Sequence, residues 1–213
     1  GDRDYAGGLA GAYAGTITNS YASGAVTGSS GGVGGLVGIN TGSIDGSYAT
    51  GQVSATQNAG GLVGINDTTG VVTSSFATGA VTADDYVGGF VGSNEGLIKT
   101  SYATGTAATT SGRFVGGFLG KGDGTLSDNY WDTSTSLVST GRGGVTQEGV
   151  TGLTTAQMKV DSNFSQAFQA DWNFSGNYPS IPLSLYVQAA SGFVGSSIYG
   201  DEPSFAYQIV SSG

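Results

Sequence analysis

One block of residues returns along this chain at a nearly constant step. It opens at Gly7 (GGLAG), Gly34 (GGLVG), Gly60 (GGLVG), Gly88 (GGFVG) and Gly116 (GGFLG), giving steps of 27, 26, 28 and 28 residues. Behind each opening come a second glycine (Gly15, Gly42, Gly70, Gly96, Gly124) and an aliphatic residue (Ile17, Ile44, Val72, Ile98, Leu126). Four residues after the aliphatic stands an aromatic: Tyr21, Tyr48, Phe76, Tyr102, Tyr130. A fixed period of this size means that one unit stacks on the next, each burying an apolar face it cannot bury alone. Inside GSIDGSYATG, Ile44, Gly46, Tyr48 and Thr50 alternate with Asp45, Ser47 and Ala49, the period of two of a strand. Helical repeats of similar length draw on Glu and Lys, in which this chain is poor. No Pro between Gly7 and Tyr130 removes a ladder N–H. The fold class expected is all-β: a parallel, right-handed β-helix or solenoid of about five coils, with equivalent residues about 4.8 Å apart.

In this reading the aromatics form an interior column over the aliphatic one. Tyr21, Tyr48, Phe76, Tyr102 and Tyr130 are one structural ladder; Asn40, Asn66 and Asn94 are a second, bonding coil to coil at a turn. Tyr13 and Gly122 replace Asn in the first and last units, as end coils allow. Two extra residues within Asp67–Gly70 predict an outward bulge. The solenoid is assigned to residues 1–130 and an irregular, partly helical C-terminal cap to 131–186. A short helix is expected near Ser162–Ala170 with Ser162 as its N-cap. Trp131, Phe164, Phe168 and Trp172 would close the core, because open strand ends invite aggregation. Residues 187–213 read as a short β segment, two strands around Gly200–Pro203.

Composition narrows the function. With no His and no Cys, the commonest general base, thiolate nucleophiles and disulfides are all excluded. The net charge is −9, and Arg3, Lys99, Arg113, Lys121, Arg142 and Lys159 are scattered singly, which disfavours nucleic acid and anionic membrane. No run approaches the roughly 18 apolar residues of a membrane span, so insertion by this segment is not expected. No cofactor is expected either. The chain begins inside a repeat, so it reads as a fragment or mature segment whose targeting sequence lies elsewhere.

The unit GGLVGxNxGxIxxSYATGxV, seen best from Gly34 to Val53, resembles the GLUG-type repeat of large secreted bacterial adhesins and filamentous-haemagglutinin-like exoproteins. The segment NYWD…GLTTAQMK…DWNF…YPSI resembles the stretch commonly found C-terminal to those repeats, and YGDEPSFAYQI resembles the opening of an MBG-type module. The resemblance implies a secreted or cell-surface protein, exported by an outer-membrane partner in a two-partner system. It implies attachment to extracellular polysaccharide or to host-surface glycan or protein, with no catalytic residues. The alternatives are a purely structural spacer and a polysaccharide-acting enzyme on a β-helix.

Individual candidate sites divide by their chemistry. GGFLGKG has Val115 and Gly122 where a phosphate loop needs Gly and Ser or Thr. Asp84 with Asp85, and Asp123 with Asp128 and Asp132, are the acidic groups a glycosidase reading would need; the latter three are also the candidates for calcium, although no bound metal is expected. Ser23, Thr50, Thr78 and Thr104 form one outward hydroxyl column. For sugar binding, the aromatics that break the register are the candidates: Tyr5, Tyr13, Tyr86 and Tyr207.

Overall fold

The computed structural model describes residues 4–29, 31–144, 148–182, 184–189 and 193–198. It divides into two units, Gly1–Ile181 and Pro182–Gly213. The first is a β-solenoid of about five coils whose strands stack in parallel. Its first wall is built from Ala10–Tyr13, Val37–Asn40, Val63–Asn66, Val91–Asn94 and Leu119–Lys121. The second uses Thr16–Thr18, Ser43–Asp45, Val71–Thr73, Leu97–Lys99 and Thr125–Ser127. The third uses Tyr21–Ala22, Tyr48–Ala49, Phe76–Ala77, Tyr102–Ala103 and Asn129–Asp132, continued by Val150–Leu153. Equivalent letters pair directly: Ile44 with Val72, Val72 with Ile98, Tyr48 with Phe76, Phe76 with Tyr102.

The lumen is filled by Leu36, Leu62, Phe90 and Phe118, by the valines Val37, Val63 and Val91, by the aliphatic column, and by Ala22, Ala49, Ala77 and Ala103. The lumen is narrow because Gly-Gly faces Ala across it. A Cβ on Gly61 would lie 2.9 Å from that of Ala77 and would collide with the carbonyl oxygen of Gly89 in the next coil. Only glycine allows this approach.

Here the structure corrects the interior aromatic column. Ala, not the aromatic, takes the inside position of each SYATG, and Tyr21 is 62% exposed. The alternation that places Ile44 and Tyr48 on one face is broken between them. Gly46, Asn19, Ser74, Thr100 and Asp128 all take positive φ at this corner, which shifts the inside–outside phase by one residue. The serine beyond it secures the corner: Ser47 Oγ donates to the Asp45 carbonyl and accepts from the Ser20 amide, and Ser75 and Ser101 repeat the pattern.

The Asn ladder is fully buried, with Asn40 Nδ2 donating to Asn66 Oδ1 at 2.9 Å and Asn66 Nδ2 to Asn94 Oδ1 at 2.8 Å. Tyr13 pairs with Asn40 in the first coil. Asn66→Ala takes from buried Asn94 Oδ1 its donor and from buried Asn40 Nδ2 one of its acceptors, so a loss of about 2–4 kcal/mol is expected. Urea unfolding checks this; a loss under about 1 kcal/mol would show that the ladder is not a stabilising element.

Between the third and first walls each coil loops outward into a lobe with its own core. Val26, Val53, Val81 and Ala107 on the outgoing leg face Val33, Ala59 and Val87 on the return leg. The sequence pattern predicts an inter-unit loop around Asp84–Asp85, whereas the chain there forms the strand Val81–Gly88, which pairs in parallel with Ala107–Gly116 and shifts register between Ala83 and Asp85.

Winding continues past Tyr130. Ser136 accepts from the Ala107 amide, Gly141 from the Phe118 and Leu119 amides, and Val150–Leu153 joins the third wall, giving a shortened last turn. Trp131 replaces Ala in the lumen column and fills it. In the second unit, Ser184–Ala189 and Phe193–Ile198 form an antiparallel hairpin. The strand expected after Gly200–Pro203 lies outside the described residues.

Candidate functional site

Two outward clusters of aromatic rings stand out on the solenoid. The first is the ladder itself. Tyr21, Tyr48, Phe76 and Tyr102 stack at centroid distances of 5.1, 4.6 and 5.2 Å with interplanar angles of 7° or less. Parallel stacking at the coil spacing covers the ring faces and leaves edges outward, which suits packing more than it suits a flat sugar platform.

The segment after the last turn lies on this ladder. It comprises 3-10 turns at Gln157–Lys159 and Asp161–Asn163 and a helix at Gln166–Asp171. The helix is capped by Ser165, which accepts from the Phe168 amide, and not by Ser162, which sits in a 3-10 turn. Phe168 stacks on Phe164 and Trp172 stacks on Phe168, each pair four residues apart. Their edges meet Tyr130 and Tyr102. Trp172 Nε1 donates to the Thr100 carbonyl, the Tyr102 hydroxyl to the Pro179 carbonyl, and the Ser165 amide to the Tyr130 hydroxyl. So of the four residues expected to close the core, only Trp131 enters the lumen. Phe164, Phe168 and Trp172 cover the third wall from outside, because the aromatic they pack against faces outward.

Burial raises the Tyr102 phenol far above its ordinary value, with Tyr178 beside it adding to the shift. Tyr178 is raised as well, by burial first and then by its bond to Asp132. A phenol with a raised folded-state pKa contributes stability that is whole below about pH 10 and lost as pH rises above it. The melting temperature is therefore expected to hold up to about pH 10 and to fall as pH rises from about 10 to 12, and by less in Tyr102→Phe. Equal falls in the two proteins would refute a role for this phenol.

The second cluster lies where the lobe meets the first wall. Asn58, Tyr86 and Phe114 occupy one register position on the return leg, and all three take positive φ, at 46°, 57° and 48°. Asn tolerates this conformation; for Tyr and Phe it costs about 1–2 kcal/mol each. The Tyr86 and Phe114 rings lie 5.3 Å apart. Lys121 Nζ sits 3.7 Å from the Tyr86 centroid and Arg113 Cζ 5.7 Å from that of Phe114. Glycines of the next turns adjoin the main chain of both residues: a Cβ on Gly120 would meet the Tyr86 backbone and one on Gly143 the Phe114 backbone, while one on Gly144 would lie 3.0 Å from the Phe114 ring.

The other sequence candidates are not brought together. Tyr13 packs against the lumen core and donates to the Thr16 carbonyl, Tyr5 is half-buried in the first coil, and Tyr207 lies outside the described residues. Asp132 is buried, its Oδ1 accepting from the Ser134 and Thr135 amides and its Oδ2 from the Thr155 and Tyr178 hydroxyls. Hydrogen bonds from Ser127 and Ser165 lower the Asp128 carboxyl. Asp123 is exposed in the loop before Thr125. Among the described residues no group of three or more His, Cys, Asp or Glu side chains is placed to hold a metal ion. Asp84 accepts from Thr110, and Asp85 pairs in register with Gln57 and Arg113. Lys121 stands on a strand and over a ring, not in a phosphate loop. Ser23, Thr50 and Thr78 are exposed and Thr104 half-buried. No helix among the described residues is long and apolar enough to cross a membrane.

Sequence reasoning singles out Tyr86 but misses Phe114, Arg113 and Lys121. The available signal is the shared position of Tyr86 and Phe114, each directly before Val-Gly-Gly.

Four stretches, residues 3–27, 29–54, 55–82 and 85–108, match the GLUG motif. The fifth unit read from the sequence lies outside them and still stacks in register, Leu126 on Ile98 and Tyr130 on Tyr102. No curated protein and no solved structure matches the chain.

Proposed function

We propose that a chain of four GLUG motif repeats wound into one β-solenoid serves as a non-enzymatic, rod-like segment of a large exported bacterial surface protein, an adhesin of the filamentous-haemagglutinin-like kind. Its partners are extracellular polysaccharide or host-surface glycan and protein, and an outer-membrane transporter carries it out of the cell. Residues 187–213 then begin an MBG-type module.

The observation that carries this reading is how bonding is divided between inside and outside. Asn40, Asn66, Asn94, Ser47, Ser75 and Ser101 are buried and bonded from coil to coil. Ser23, Thr50 and Thr78 remain exposed at equivalent points of successive coils. Such a surface offers the same weak polar contact repeatedly, and affinity accrues by multivalency. The carboxylate of Asp132 being taken up in internal hydrogen bonds supports a non-enzymatic role.

The spacer reading has its own support, because the chain covers the Tyr102 and Tyr130 rungs of its aromatic ladder itself. A glycan array probed with the full chain, free and as a streptavidin tetramer, separates the two. Adhesion predicts signals at least about 100-fold stronger for the tetramer; silence at high valency leaves the spacer. Release of sugar products, abolished by Asp84→Asn, would instead establish an enzyme.

A further inference from the structure

The geometry points to a binding site for acidic polysaccharide, one carrying carboxylates, at Tyr86, Phe114, Lys121 and Arg113; this rests on the adhesive reading above. Three observations converge on these residues. The first is backbone cost. The chain places Asn at this left-handed position in one coil and then two bulky aromatics in the next two, where L side chains are disfavoured. Strain kept at a surface position without a packing need is a mark of function. Phe114 remains 37% exposed, so core packing does not account for it.

The second is charge. The chain is acidic overall, with six basic residues against fifteen acidic. Two of the six stand over these rings, and a third, Arg142, lies one turn on and donates to the Gly122 carbonyl. Asp84 and Asp85 share the lobe, with Asp84 held by Thr110 and Asp85 in register with Arg113. The third is shape. Lys121 takes a first-wall position filled by Ser93 and Ile65 in earlier coils, and a Cβ on Gly144 would lie 3.0 Å from the Phe114 ring, so glycine borders that ring where another residue would place a side chain. The exposed Phe114 ring meets the C–H face of a pyranose, and the Lys121 ammonium beside it meets its carboxylate.

Other coils supply replacements already compatible with the fold. Tyr86→Asn with Phe114→Asn reproduces the residue at Asn58, and Lys121→Ser reproduces Ser93. The probes are polygalacturonate and neutral dextran, immobilised at equal density, with the full chain as analyte. The native chain is expected to bind polygalacturonate and not dextran. The double Asn variant should bind at least about tenfold more weakly with an unchanged or higher melting temperature, and Lys121→Ser should lose most of the salt dependence. Native-like binding by the double Asn variant overturns this site while leaving adhesion standing. Preference for dextran overturns the acidic class. Silence on these surfaces and on the whole glycan array overturns both readings.

Discussion

Gly61→Ala is expected to abolish cooperative folding of the solenoid, or to cost more than about 4 kcal/mol, although it adds one methyl group. The new Cβ would enter the carbonyl of Gly89 and press on Ala77, and neither is the free end of a flexible side chain. Relief requires the third wall to move away from the Gly-Gly corner, which opens the lumen around Leu62 and Val63. Far-ultraviolet circular dichroism and thermal melting check it. A melting temperature within a few degrees of the native value would show that the lumen is far softer than its contacts imply.

Trp131→Ala comes next, at about 3–5 kcal/mol, the cost of truncating a buried large aromatic. Alanine is the residue of the four preceding rungs, so local backbone preference does not oppose the change. What opposes it is the surroundings: Gly117, Gly141 and Gly152 all lie against the indole and leave nothing to refill the space. In a stack where each coil contacts only its neighbours, damage stays near its origin. Limited proteolysis should therefore cut within residues 133–181 first, while the coils carrying the Asn ladder remain intact. Uniform digestion along the chain would contradict that.

The physics of the repeat decides how much of the fold is legible in the letters. The aliphatic and Asn columns are legible because each lies within a straight run, where spacing alone determines what sits above what. The facing of Tyr48 is not, since one left-handed residue at Gly46 reverses the alternation and a glycine there is equally compatible with an ordinary turn. The lobe is hidden for a related reason. Val53 and Ala59 face each other across a hairpin-like return, so their contact obeys no period. At the candidate site, Tyr86 stands out as an aromatic out of register. Phe114 does not, because a left-handed backbone is not written into a phenylalanine, and Lys121 shares its position with Ile65 and Ser93.

A ladder of near-identical rungs carries an ambiguity of its own: slid by one whole step, most of it would match again. Trp131 removes that freedom. Its indole fits only where Gly117, Gly141 and Gly152 surround it, so a chain winding one step out of place would drive it into a slot sized for a methyl group. The bulkiest side chain of the lumen thus acts as an end stop, fixing which rung is last.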